Sequence, residues 1–488
     1  MKPNRHELVS TAEQRRLLGI PAFDEGEIPT VSEILDVYPL EVGGAHLLAE
    51  RLRFSKVDYE DLLLCLTQLE KVRDSDRLTL KQAIAGAALQ LKASSSKKII
   101  TTLSGKKVRL ADIRGAKVNS RNLIFDKYEL PIPPISIAHA DRPMDYPRIV
   151  YPIGRAEVLR LPDAHVWTGS DVMSSRGHYF LDNNAWPGAK SQNLVNDSQL
   201  LAVKSNKGIV HEPTTSPESL EKAIWLGFPM LESWGHWVYE GMLRLELFSR
   251  DYDFTDLDVL VPDSVPQNFL EVAKVIFPRV RFKSVSAKTH FLIKECVYVP
   301  LRTFHAHNVF WSRDDENLRL SGEPQLFSAF KTRVLRETAE QFSEATTPGE
   351  RIYLDRSLAN YRVSRIAARM RDIAKRNDFR IVDPGSLNPL EQLRLFSSAK
   401  SIWGQTGSGF FLAPLAPEGC SVLMVGSDFS HDWAGLALAI EKTTRERPQF
   451  ILGERDFVAP GFSERLYHQD FNLSEEAWKK IEDWCTQH

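Results

Sequence analysis

The stretch Ser401–Asp428, "SIWGQTGSGFFLAPLAPEGCSVLMVGSD", decides the fold. It predicts a buried strand ("SIWGQT"), a glycine turn, an apolar helix and a second strand ("CSVLMVG"). Gly404, Gly407 and Gly409 sit between the two strands. Small residues there let backbone N–H groups approach an anion, and the helix behind adds its positive end. Thr406, Gly407, Ser408 and Gly409 are therefore a candidate diphosphate cradle. The turn is not a P-loop, because no Lys-Ser or Lys-Thr pair ends it. Nor is it the dinucleotide fingerprint, because its spacing is G-x-x-G-x-G. Asp428, at the end of the next strand, keeps a dinucleotide reading open. Glycines at a strand-to-helix turn are also often purely conformational.

Working outward, "RIYLDR" (Arg351–Arg356) and "FRIVDP" (Phe379–Pro384) read as strands. Between them "NYRVSRIAARMRDIAKRND" is a helix with Val363, Ile366, Met370 and Ile373 on one face. "NPLEQLRLFSSAK" opens with Asn388 as N-cap, Pro389 at the first helical position and Glu391 closing a capping box. An earlier alternating block contains the helix "LESWGHWVYEGMLRLELFSR", the strand "LDVLVP", the helix "SVPQNFLEVAKVIF", and the strands "VRFKSVS" and "FLIKECVYVP". Alternation of this kind predicts an α/β fold with mainly parallel sheets covered by helices. Two such blocks suggest two Rossmann-like domains facing a cleft, with ligands beyond the carboxyl ends of the strands. The tail "LSEEAWKKIEDWC" is an amphipathic helix burying Trp478, Ile481 and Cys485.

The division expected is a helical accessory region and basic connector at 1–110, with a first Rossmann-like, acceptor domain at 111–325. A second, nucleotide-sugar domain follows at 326–460, and a closing helix at 461–488. In the first region, "DYEDLLLCLTQLEKV" and "LTLKQAIAGAALQLK" carry helical periodicity and no chemistry, which fits an accessory or oligomerisation module. Lys92–Arg121 is basic with one acid, Asp112. It reads as a solvated connector, or else as a face for anionic lipid or an acidic polymer. "YELPIPPISIAHADRPMDYPRIVYPI" is Pro-rich and expected to be irregular, and "DAHVWTGSDVMSSRGHYFLD" (Asp163–Asp182) predicts two short strands.

The bulk numbers exclude some classes. A net charge of −2 leaves no global footprint for nucleic acid. No apolar run approaches the ~18 residues of a membrane helix, and the start "MKPNRHELVS" has no apolar signal core. The four cysteines, Cys65, Cys296, Cys420 and Cys485, form no C-x-x-C pair, which speaks against a disulfide framework or zinc site and fits a reducing cytoplasm.

Several residues are candidates for chemistry. Arg356 falls at the carboxyl end of its strand and Arg362 near the start of the following helix; each can meet phosphate with paired donors or serve in a surface ion pair. His236 and Glu240 are four apart on one helix face. They suit either a buried His held by a carboxylate or a general base and its partner. His305 and His307 alternate on a strand and face the same way, with no third metal ligand evident; acceptor contact or plain surface is their reading. Asp256-Leu-Asp258 mimics a metal motif but precedes its strand, the wrong end for a ligand.

Taken together, "ESWGHWVYEGMLRL", "RIYLDRSLANYR", "LNPLEQLRLFSSAKSIWGQTGSGFF" and "LAPEGCSVLMV" resemble glycosyltransferase family 61, whose bacterial members are often linked to capsular polysaccharide synthesis. The resemblance runs from about Ala156 to Ser427 and includes the strands of His165–Asp182. It implies the two-domain GT-B fold and an inverting transfer from a nucleotide sugar to a glycan or glycolipid acceptor, with no cofactor and no bound metal. The setting it implies is cytoplasmic, at most peripheral to the inner face of the membrane. It assigns Arg356, Arg362, Thr406, Gly407, Ser408 and Gly409 to the nucleotide sugar, and Glu240 with His236 to activation of the acceptor, Glu240 slightly ahead as base. Two positions depart from the family pattern near the diphosphate or ribose. Thr406 stands where the family usually has His, and Met424 where it commonly has Glu. A catalytically inactive binding descendant is therefore one rival reading, and a nicotinamide-dependent oxidoreductase is another.

Overall fold

The protein is described by a computed structural model covering residues 30–37, 40, 45, 48–49, 51–52, 57–72, 74–126, 128–132, 136–139, 143–145, 149–153, 155–182, 199–204, 206–211, 216–226, 231–251, 257–286, 289–300, 324–342, 349–356, 366–427, 434–455 and 471–488. Helices α1 (Val31–Val37), α2 (Tyr59–Gln68), α3 (Asp74–Ala88) and α4 (Ala93–Thr102) come first. α2 starts where Asp58 and Asp61 form a reciprocal capping box. The helices bury Leu62, Cys65, Leu80, Ile84 and Ile99 in one cluster.

Among the described residues the first sheet has 11 strands. Its strands are β1 (Gly105–Asp112), β2 (Ala156–Trp167), β3 (Met173–Ser175), β4 (His178–Leu181), β5 (Leu200–Lys204), β6 (Lys207–His211), β7 (Glu218–Trp225), β8 (Asp258–Pro262), β9 (Arg281–Val285) and β10 (His290–Tyr298), with Ser120–Phe125 paired to β2. The order is β5-β6-β1-β4-β3-β2-β10-β7-β8-β9. β10, β7, β8 and β9 are parallel, and β2 runs antiparallel to β10. The parallel part crosses over through α5 (Leu243–Asp251) and α6 (Gln267–Ile276).

The second sheet has β11 (Glu350–Leu354), β12 (Arg380–Val382), β13 (Ala399–Gln405), β14 (Ser421–Ser427) and β15 (Gln449–Arg455) in the order β12-β11-β13-β14-β15, all parallel. This is the doubly wound order whose direction reverses between β11 and β13. Around it lie α7 (Pro324–Glu337), α8 (Ala367–Arg376), α9 (Pro389–Ser398), α10 (Ala434–Thr444) and α11 (Glu475–Gln487). The capping box at Asn388 and Glu391 forms with Pro389 inside the first turn. α11 buries Trp478, Ile481 and Cys485 against the back of this sheet, with Tyr353, Trp403 and Val425.

Three readings need correction. Lys92–Arg121 is no solvated connector: it contains α4 and β1, and the boundary drawn at residue 110 falls inside a strand. The signal was the alternation of basic and apolar residues in Lys107-Val108-Arg109-Leu110, the pattern of a half-buried strand. The Pro-rich stretch is not irregular throughout. Ser136–His139 adds a parallel strand to β15 of the second sheet, and Pro143–Asp145 pairs with it at the edge, where a proline costs no ladder bond. Asp163–Asp182 holds the end of the long β2 and two further strands.

The two sheets are joined by one apolar core. It runs from Val259, Phe269 and Ile276 through Leu247, Phe327 and Phe330 to Phe410, Phe411, Met424 and Leu436. α7 is the hinge pin of this core, packing on α5, α6 and α10. Arg333 pairs with Glu246 of α5 and donates to Ser249 Oγ at 2.5 Å. Lys331 donates to the carbonyls of Ala416 and Thr443, at the carboxyl ends of two helices, where a cation is favoured. The four cysteines are free and buried, and burial pushes each thiol up to about 12.

In the first sheet His165 Nδ1 meets His290 Nε2 at 2.9 Å, and Trp167 stacks on His290 at 4.7 Å. Burial holds the His165 imidazole below its ordinary range. Burial, and next Lys81, do the same to His211. Both rings thus resist protonation in the folded chain more than in the unfolded chain, which takes up protons below about pH 6.5. The stability they contribute is complete above that pH and is lost as pH falls toward the folded-state values. The melting temperature is expected to drop between about pH 7.5 and about pH 5.5, and to drop less in His165→Gln/His211→Gln. An equal drop in both proteins would remove these rings as the cause.

Candidate active site

β11 runs directly into Asp355 and Arg356, and β13 into Thr406 and Gly407. These are the carboxyl ends of adjacent strands at the reversal point of the second sheet, where open α/β sheets bind ligands. Arg356 Nη1 donates to the Thr406 carbonyl at 3.0 Å. The guanidinium lies across Gly407, so that a Cβ there would stand 1.7 Å from Nη1 and 2.8 Å from Cζ. Gly407 has φ 166°, an extended backbone open to any residue. A side chain there would displace the guanidinium that lies above it. Gly404 answers to the sheet itself, since a Cβ would stand 2.7 Å from the Leu354 carbonyl oxygen. Gly409 has no such demand; its nearest neighbour would be Pro384 Cγ at 3.5 Å. The neighbouring Asp355 is buried, and its Oδ2 accepts from Arg371 Nη2 at 2.7 Å.

The expected apolar helix is a 3-10 helix, Ser408–Leu415. Pro414 removes one N–H from it, and Phe410–Leu415 are all buried, so packing rather than helix propensity holds this turn. Met424 pairs in register with Gly404 and is fully buried in the shared core. Its side chain belongs to the layer of Leu354, Ile402 and Phe450, on the strand beside the glycine turn.

The first block contributes the segment after β7. One helical turn, Trp234–His236, passes into a π-helix, Trp237–Met242, and then into α5. π-Turns inside helices occur frequently at functional sites. Gly235 seats this segment on the glycine turn: a Cβ would lie 2.6 Å from Phe411 Cδ2 and 3.0 Å from Ser408 Cβ. The ring of His236 stands edge-on to Phe411 at 6.1 Å. His236 Nδ1 lies 3.3 Å from Glu240 Oε2. His236 is 7% exposed and Glu240 0%. A carboxylate so enclosed is tolerable where hydrogen-bonded partners offset its desolvation.

One residue was missed. Arg244, four beyond Glu240, is 2% exposed, donates from Nε to the Val299 carbonyl at 2.8 Å and stacks over Tyr298 at 4.7 Å. It ties the segment to the carboxyl end of β10. Continuing the four-residue spacing from His236 and Glu240 reaches it, but within "LRLEL" it looks like a surface arginine. The structure thus brings Arg356, Thr406, Gly407 and Ser408 together with the turn carrying His236 and Glu240. Arg362, His305, His307, Asp256 and Asp428 lie outside the described residues. Asp258, at the amino end of β8, accepts from Arg281 Nε at 3.1 Å.

Residues 234–423, less than half of the chain, match the family model described as Glycosyltransferase 61. The match opens at the turn carrying His236 and closes in β14, so both halves of the candidate site lie within it; the strands of His165–Asp182 lie outside. Among solved structures the chain is similar to the bacterial iron-containing dodecameric glycosyltransferase TibC from enterotoxigenic E. coli H10407. The identity is 10%, covering 76% of this chain and 94% of that chain, with a TM-score of 0.26, too low to bear on the fold. No curated protein matches the chain. The family match gives no support to a nicotinamide-dependent oxidoreductase.

Gly407→Ala isolates the contact with Arg356. Only the flexible end of the arginine has to move, so the melting temperature is expected to stay near that of the wild type. Protection from unfolding by a nucleoside diphosphate is expected to fall as far as in Arg356→Ala. Full protection in Gly407→Ala would show that the position of the guanidinium over the turn does not matter.

Proposed function

We propose that the chain, a glycosyltransferase by its domain at residues 234–423, moves a sugar from a nucleotide sugar to a hydroxyl of a glycan or glycolipid acceptor. The transfer inverts the anomeric centre and uses no divalent metal. The donor binds to the second block and the acceptor to the first, in a GT-B arrangement. The observation that carries this reading is the seating of Gly235 on Ser408 and Phe411, which sets the His236 turn against the turn beneath Arg356.

The departing diphosphate gains negative charge. Arg356 and the N–H groups of Gly407 to Gly409 answer that charge; fixed donors aimed at a developing anion are commonly the largest single contribution to catalysis. The acceptor hydroxyl needs a base on the opposite face of the sugar. Because Glu240 is the more enclosed of the two, this reading gives it the holding of the ring and gives His236 the contact with the acceptor. With Glu240 accepting from Nδ1–H, Nε2 carries the ring's lone pair and is the atom that takes the proton. As the hydroxyl oxygen bonds to the anomeric carbon, its proton passes to Nε2 and the bond to the diphosphate oxygen breaks, its electron pair leaving with the diphosphate.

A thermal-shift panel of nucleoside diphosphates and nucleotide sugars tests the donor, because a ligand bound only by the native state raises the melting temperature. A transfer assay with the stabilising sugar nucleotide then tests the chemistry. Transfer is expected to persist in EDTA. His236→Ala and Glu240→Gln are expected to lose ~10²–10⁴-fold in rate while keeping nucleotide protection. No shift with any nucleotide at millimolar concentration, or activity abolished by EDTA and restored by manganese, would overturn the reading.

A further inference from the structure

Four cations of the basic run Lys92–Arg121 (Lys97, Lys98, Lys107 and Arg109) lie on the side where α4 covers the β1–β6 ribbon, whereas Lys106 alternates to the other side and Arg121 pairs with Glu157. α4 packs through Ile99 and Ile100 onto the ribbon formed by β1 and β6. A Cβ on Gly105 would lie 2.9 Å from Ile209 and 3.3 Å from Ile100. The outer face of α4 is Ser94, Lys97, Lys98, Thr101 and Thr102, all exposed. On the ribbon, Lys107 stands opposite Ile209, and Arg109 opposite Lys207. Directly opposed residues of an antiparallel pair project from the same face. Ile209 is buried under the helices, so Lys107, Arg109 and Lys207 project from that helix-covered side, and all three are exposed. By the alternation of the strand, Asp112 falls on the other side.

Arg109 directly across from Lys207 is an unfavourable pairing, since like charges opposed on a ladder repel. An anionic surface laid over the pair relieves the repulsion. Among the described residues, Lys97, Lys98, Lys107, Arg109 and Lys207 take part in no ion pair. Four of the five are lysines, compact hydrated charges on flexible stems rather than the planar forks that clamp a single phosphate. They spread over a helix face and a strand ribbon, an extended surface rather than an enclosed site. We propose that this face docks the protein on an anionic lipid bilayer through the headgroup charge of many lipids at once. The proposal stands independently of the sugar-transfer reading.

Co-sedimentation of the full chain with lipid vesicles tests it. The expected result is pelleting with phosphatidylcholine vesicles containing roughly 30 mol % phosphatidylglycerol, and none with phosphatidylcholine alone. Binding is expected to fade as added salt shortens the screening length from ~10 Å at 0.1 M toward ~3 Å at 1 M. Lys97→Glu/Lys98→Glu/Lys207→Glu, checked for an unchanged melting temperature, is expected to lower the bound fraction at least about tenfold. Lys97→Gln/Lys98→Gln, which alters only the solvent face of α4, is expected to fall between that variant and the wild type. Pelleting that ignores lipid charge, or that survives in the charge-reversed variant, overturns the proposal. So does retention on a soluble acidic polysaccharide without vesicle binding, which would assign the face to a polymer instead.

Discussion

The guanidinium of Arg356 lies so close over Gly407 that no side chain fits between them. That contact depends on two adjacent parallel strands, β11 and β13, ending at the same level. It also depends on Gly404, because a Cβ there would press on the Leu354 carbonyl. The result is a cation and bare backbone N–H groups presented together at the reversal point of the sheet. In the proposed transfer, donors already positioned in this way are what charge stabilisation of a developing anion draws on.

The opposite half of the site is held by packing. Phe411 touches both His236 and Tyr239, and Tyr239 in turn meets Phe327 of α7 at 5.2 Å. One core therefore links the strand ends of the second sheet, the 3-10 helix and the π-segment of the first block. Close-packed interiors deform little, so the distance between the His236 turn and the glycine turn is set by side-chain volume. Removing a large buried aromatic such as Phe411 typically costs 3–5 kcal/mol, and here it would also loosen the spacing between the halves. Lys331 and Arg333 on α7 fasten the same junction from outside, through helix carbonyls and Glu246.

Much of this was legible in the sequence. The capping box at Asn388, the Met370 and Ile373 face of α8, the Trp478, Ile481 and Cys485 face of α11 and the run of parallel strands all announce themselves through local period and chemistry. The pairing of Arg356 with the glycine turn followed from placing both at strand carboxyl ends. What periodicity does not report is partnership at long range. Ser136–His139 joins β15 across some three hundred residues of sequence, and the prolines that flank it, Pro133, Pro134 and Pro143, hide it as a strand. β1 was masked by its lysines, although Val108 and Leu110 alternate with them. The π-segment follows from packing against Phe411 and Ser408, which no local pattern encodes. Burial was equally invisible: only the structure distinguishes His236 from the more enclosed Glu240 and turns Met424 into core.

A crystal structure of the protein with a nucleoside diphosphate tests the central claim most directly, because it locates the diphosphate without relying on turnover. The account predicts diphosphate oxygens within hydrogen-bonding distance of the Arg356 guanidinium and of the backbone N–H groups at Gly407 to Gly409, on the side facing the His236 turn. A nucleotide bound elsewhere, with Arg356 still resting on the Thr406 carbonyl, would contradict it.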